Sequence, residues 1–515
     1  MSMISEELKR LCEGLSSTTD AEKEEQGPYI TVEHLTGKFG AMYEKVRSFV
    51  DYKDYHVIRQ SAIRRMLKRQ LYLERKPNSG GALLRELVSG GYLPNNKIPE
   101  ARGIELQNII HKWLTFEREG LAIALSLDFA SIEIEQFLFP DVAQSLLINS
   151  FFQSTLRAIS YQSKDTIDHT LITLAACRRS FFSEDKSRLL HALITREIPE
   201  LLSHNSHSDQ VLMVLAPRVL NSLRKAEDVA THPLVWKVSA RLHNHALYYS
   251  VLLEMFRSYG KGSEIVLSEE EKLKECVETI AKNKQQQQRK LLRISGRRAV
   301  IYLLLTKIIL GVAFEWPYEH FILGKENYFA LGTNAFFHPL LLLSMVTFVA
   351  KPRKSGLQRI VDGVSAIVQG KEMKQIFIKP PASTVTFFFV MCFYVALFIV
   401  SFGIILAGLI AIDFNIASII LFFVFLTLVS YFGLRIRGSA RRWEPVREKP
   451  GTFGMVWNLF TFPIVNTGRW FSVRFSTVNV FVLFLDFLVE VPFKAFLGIF
   501  DASLSFIKEH RVDTY

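Results

Sequence analysis

Along most of residues 1–298 apolar side chains recur at spacings of three and four, the period of helices with one face in a core. In 55–69 the face Tyr55, Ile58, Ala62, Met66 and Leu67 lies opposite Arg59, Arg64, Arg65, Lys68 and Arg69. The basic side reads as a solvated or lipid-facing surface. A turn is expected at "KPNSGG", where Pro, Asn and paired glycines interrupt the pattern. Further helices are predicted over 103–117, 121–138, 143–161, 166–180, 186–202 and 234–259. Ser183, followed by Glu184 and Asp185, reads as an N-cap with acids in the first turn. Strand alternation is scarce and no signature residues repeat at a fixed period, so 1–266 reads as an all-α domain of antiparallel helices and not as a solenoid. The stretch 267–298 passes from acidic to basic along one helix, which suits a charged stalk.

Beyond 298 apolar runs take over. The run 299–314 is short for a span and has Lys307 at its middle. Its ten Val, Ile, Leu and Phe residues contribute about −0.3 to −0.6 kcal/mol each, against about +2.5 to +3.5 for a central lysine. Insertion is then near balance and depends on neighbouring helices. Those follow at 328–350, interrupted by Asn334, His338 and Pro339, and at 384–411 and 416–434, where Asp413 is the only charged residue between 384 and 434. The short link "IDFN" makes the last two a helical hairpin, since in hydrocarbon helices and closed barrels alone satisfy every backbone amide and uninterrupted apolar runs do not fit a barrel. Gly403, Ala407 and Ala411 share a face that would admit a close neighbour, although small residues are common in such helices anyway.

Charge then orients these runs. Arg289, Lys290, Arg293, Arg297 and Arg298 precede the first; Lys351, Arg353 and Lys354 follow the second; Arg435, Arg437, Arg441 and Arg442 follow the fourth. The intervening loops carry no basic excess, so four spans over 299–434, with the N-terminal and C-terminal parts both cytoplasmic, satisfy all flanks at once. The overall composition, 49% hydrophobic with 41 Phe, hides this division into a polar and an apolar half. Because the net charge of +12 borders apolar runs, it favours an anionic inner-leaflet surface as partner over nucleic acid, whose aromatic platforms and motifs are also missing.

Two segments read as interfacial. Residues 355–378 place Leu357, Ile360, Val361, Val364, Ile367 and Val368 on one side, as for a helix lying on the inner leaflet or packing on the soluble domain. The C-terminal part 435–515 holds a basic linker and an amphipathic stretch around Trp457 and Trp470. An apolar tail follows whose stripe of Asp486, Glu490, Lys494 and Asp501 leaves its placement open between interface and fifth span.

Lys307, His338, Asp486 and Glu490 form the candidate intramembrane polar cluster. They either line a path for an ion or small solute, or amount to a lysine that snorkels or pairs once and a histidine bonded to a neighbouring helix. Catalytic signatures are scarce: HExxH, GxSxG and a Walker phosphate loop do not occur, and Ser-x-x-Lys, as at Ser183/Lys186, Ser222/Lys225 and Ser505/Lys508, is scattered without context. His204 and His207 sit in a polar loop, and His243 and His245, two positions apart on a helix, point to different sides. The four cysteines are scattered with no CxxC pair, which fits a reducing compartment. No cofactor or metal is implied. The expected fold is all-α, a cytoplasmic multi-helix domain followed by a helical multi-pass membrane domain in a plasma or inner membrane. The expected role is a membrane-anchored scaffold or partner-binding module, with a transporter or channel component as the alternative.

Overall fold

The computed structural model describes residues 55–74, 79–162, 168–182, 185–203, 208–310, 327–347, 354–378, 384–440, 443–445 and 452–474, with short pieces at 8–9, 12–13, 28–31, 316–317, 320–321 and 324. Helices dominate, and the chain divides into two compact units. One comprises Met1–Lys284, Pro352–Pro381 and Glu444–Val446; the other comprises Gln285–Lys351, Ala382–Trp443 and Arg447–Tyr515.

In the first unit α1 (Tyr55–Lys68) continues as one π-helical turn, Arg69–Leu73. It is followed by α2 (Ser79–Ser89), α3 (Arg102–Arg118), α4 (Ile123–Leu138), α5 (Val142–Ala158), α6 (His169–Phe182) and α7 (Lys186–Glu197). Then come α8 (Asp209–Thr231), α9 (Pro233–Tyr259) and the short α10 (Ser263–Ser268). The glycines expected to mark a turn open α2 instead. A Cβ on Gly80 would lie 2.3 Å from the Gly103 carbonyl oxygen, so α2 and α3 approach closely only because no side chain stands there. The cap of α7 is Asp185, whose carboxylate accepts from the Arg188 amide at 3.0 Å, two residues beyond the expected Ser183.

Helix α8 has no counterpart among the predicted elements. Its buried Leu212, Leu215, Ala216, Val219 and Leu223 keep the helical period through Pro217, an interior position where the helix gives up the bond an amide there would make to the Met213 carbonyl. The core is built around Trp113, Phe116, Phe129, Phe151 and Phe181, all fully buried. Ile159–Tyr161, expected to end a helix, forms strand β1, parallel to β2 (Ile376–Ile378) with Ile159 opposite Ile376. Helix α13 (Lys354–Val368) also belongs to this unit: Ile360, Val361, Val364 and Val368 are buried, and Gly363 meets the Tyr248 ring of α9.

Helix α11 (Glu270–Leu310) is a continuous helix of 41 residues. Its residues from Gln285 onward join the second unit with α12 (Tyr328–Thr347), α14 (Thr384–Ala411), α15 (Ile416–Ala440) and α16 (Thr452–Arg474). Among the described residues three helices are long and apolar enough to cross a membrane: Tyr328–Thr347, Val385–Ala411 and Ile416–Ile436. The expected run 299–314 is the end of α11 as far as Leu310, and the remainder lies outside the described residues. The link between α14 and α15 is as tight as expected. Asp413 turns at φ 55°, Asn415 Oδ1 accepts from the Ser418 amide, and Asn327 Nδ2 donates to the Ile412 carbonyl at 3.2 Å. Close approach recurs at glycine: a Cβ on Gly468 of α16 would stand 2.0 Å from the Thr427 carbonyl oxygen of α15. At the other end of the unit Gly296 admits Val346.

Candidate functional site

Two of the four candidate polar residues come together in the second unit. The α11 side chain Lys307, only 2% exposed, donates from Nζ to Asn334 Oδ1 on α12 at 2.8 Å. Its ammonium also lies 4.0 Å from the centroid of the Phe425 ring on α15, a cation–π arrangement. One turn after Asn334, fully buried His338 faces two carbonyl oxygens: Nε2 lies 3.0 Å from that of Phe422 and Nδ1 lies 3.3 Å from that of Asn334. A neutral imidazole carries one N–H, and the shorter contact takes it, so the ring donates from Nε2 to α15.

Lys307 and His338 therefore share Asn334 as a neighbour and fasten α11, α12 and α15 to one another. The lysine turns across the helices to Asn334 and Phe425; the nearest other base on its own helix, Arg298, is about 14 Å away along the axis. Asp486 and Glu490 lie outside the described residues, as do Gly311 and Glu315. Asn334, which had counted only as an interruption of an apolar run, is the partner of Lys307. Its spacing of four from His338 was the available signal, since both then fall on one helix face.

A larger buried charge network occupies the first unit. Lys112 and Glu133, each about as dry as Lys307, pair at 2.5 Å; Glu133 also accepts from Trp113 Nε1 at 2.7 Å, and Lys112 donates to the Leu201 carbonyl. Nearby, Glu135 bridges Arg59 at 2.8 Å and Arg188 at 2.9 Å. On the basic face of α1 and the turn after it, Arg59 pairs with Glu135, Arg64 with Asp128, and Arg69 with Glu86, while Lys68 and Arg69 remain exposed. Fully buried His191 lies beside Trp113 and Phe129, and its ring is pushed down to about 4, chiefly by burial, with Lys112, Arg178 and Arg188 adding to this and Glu133 opposing it.

Among the described residues no three His, Cys, Asp or Glu side chains gather as a metal-ligand group. His204 and His207 lie outside those residues, while His243 Nε2 contacts the Glu444 carbonyl at 3.2 Å and His245 packs edge-on against Tyr248. Buried Cys177 has its thiol pushed up to about 12, mainly by desolvation, which leaves it a poor nucleophile. Among the described residues Lys112, Glu133, Lys307 and His338 are each met by polar or aromatic partners inside apolar surroundings. Set against family models, curated proteins and solved structures, the chain matches none of them.

Proposed function

We propose that the chain is a multi-pass integral membrane protein of a plasma or inner membrane, its helical domain and both termini cytoplasmic, acting as a membrane-anchored scaffold or partner-binding module. Helix α14 carries this reading. Of its most apolar stretch, Val385–Ala411, only 6% is buried, and Phe387, Phe388 and Phe389 are each more than 60% exposed. A charge-free apolar helix with so much open surface is stable in hydrocarbon and not in water, where patches of that size drive association. Orientation rests on the alternation of basic flanks. Leu292, Val346 and Val429 join one apolar cluster with Ile436, which supports exit of the basic flanks of α11, α12 and α15 on one side.

The scaffold role is favoured over transport by the condition of Lys307, Asn334 and His338. Their polar atoms are taken up by one another, by a backbone carbonyl and by an aromatic face, as in groups that lock helices together. The deciding experiment uses the full chain in proteoliposomes and as bait from native membranes. A reproducible protein partner that Lys307→Leu still retains supports the scaffold. Solute flux that disappears in a folded Lys307→Leu variant overturns it in favour of transport.

A further inference from the structure

From Glu278 to Glu315 the chain contains eight bases and no acid. Four of those bases share one stripe of α11: Gln286, Arg289, Lys290, Arg293, Ile294 and Arg297 line a single groove. Packing settles the rotation of that helix. Gln285 donates to the Trp443 carbonyl at 2.8 Å, Leu292 and Leu303 enter an apolar cluster, and Gly296 meets Val346, so the basic stripe falls beside the packed face and not within it. Lys290, Arg293 and Arg297 are exposed, and no acid among the described residues pairs with them. By contrast, Arg59 and Arg64 on α1, and Arg69 just beyond it, each have a carboxylate partner.

We propose that this stripe is a headgroup site for a multiply charged, phosphomonoester-bearing lipid. The inference rests on the membrane reading above, which puts Ala299–Leu310 of the same helix in hydrocarbon. Arg289 to Arg297 then occupy about 12 Å of axis immediately outside the apolar run, the depth of the headgroup layer. Charge complementarity selects the occupant. A single phosphodiester neutralises one base, whereas vicinal phosphomonoesters answer a cluster of four, and three of the four are arginines, whose planar forks bind phosphate oxygens in pairs. Arg435 adds a base to the same unit, one residue before Ile436, which packs against the cluster containing Leu292.

The test uses the full chain reconstituted in phosphatidylcholine nanodiscs containing either phosphatidylinositol bisphosphate or phosphatidylserine at equal total charge, with bound lipid read by native mass spectrometry. Expected is about ten-fold preferential retention of the bisphosphate lipid, lost in Arg289→Gln/Arg293→Gln and kept in Lys272→Gln/Lys274→Gln, which removes equal charge earlier on the same helix. Equal retention of phosphatidylserine overturns the site in favour of diffuse attraction. Undiminished preference in the first double variant overturns the assignment to these residues, and equally tight binding of free inositol trisphosphate overturns the lipid as occupant. Alkaline carbonate extraction separates the two readings: a wild-type chain that stays with the membrane but shows no preference refutes the headgroup site alone, whereas a chain washed off the membrane refutes both.

Discussion

Lys112 and Lys307 are both almost completely buried, yet their surroundings differ in kind. Lys112 meets a carboxylate, and Lys307 meets an amide oxygen and a ring face. Removing one partner of a buried ion pair strands the other charge, whereas the Lys307 to Asn334 bond joins a cation to a neutral acceptor, and interhelical bonds in lipid average about 0.6 kcal/mol. In thermal unfolding of the detergent-solubilised chain, Lys307→Met and Asn334→Leu are each expected to destabilise. The double variant should recover on the order of 0.6 to 1.7 kcal/mol of their sum; strictly additive losses would show that the bond contributes nothing. His191 supplies a pH dependence. Its folded value near 4 lies below the ordinary 6.5, so between those values the unfolded chain binds more protons. Stability is therefore fully present above about 6.5 and falls as pH is lowered toward 4, by up to about 3 kcal/mol. His191→Phe, which keeps the aromatic contacts with Trp113 and Phe129, should unfold with a shallower pH slope than wild type over that window.

At the scale of elements, glycine marks the places where helices approach most closely. Gly468 brings α16 against α15 at Thr427, and α16 is tied to α14 by Ser401 Oγ donating to the Phe460 carbonyl at 2.9 Å and Asn466 Nδ2 donating to the Tyr394 hydroxyl at 3.0 Å. Gly468→Val should push α16 away from α15. It should lower the thermal midpoint by several degrees and abolish disulfide formation between cysteines placed at Ser401 and Phe460, while Gly332→Val, where the space is open, should leave both unchanged. Helix α13 shows the limit of an amphipathic pattern read alone. Its stripe is as expected, but periodicity states only that a face is covered, and the covering partner is α9.

At the scale of the whole molecule, the membrane reading makes a geometric prediction. Single cysteines introduced at Asp413 and at Lys290, in a background lacking the native cysteines, should react differently with an impermeant maleimide applied to intact cells. The Asp413 position should label from outside and the Lys290 position only after permeabilisation. Labelling of the Lys290 position alone would reverse the orientation, labelling of both from outside would contradict an odd number of spans between them, and a purified chain that remains dispersed without detergent would remove the bilayer from the account altogether.

The presence of the apolar helices, their tight hairpin and the helical character of residues 55–259 were legible in the chain because each depends on local periodicity, turn chemistry or hydrocarbon length. Lys307 and His338 were visible as anomalies for the same reason: a cation in an apolar run is conspicuous whatever surrounds it. What surrounds them was decided only by tertiary structure, since Asn334 and Phe425 are distant in sequence from Lys307, and the Phe422 carbonyl from His338, until packing brings them within contact distance. The pairing of Arg59 with Glu135, the parallel strands at 159 and 376, and the covering of α13 are likewise long-range matters. A sequence specifies which groups must be satisfied, and the distances between folded elements select what satisfies them.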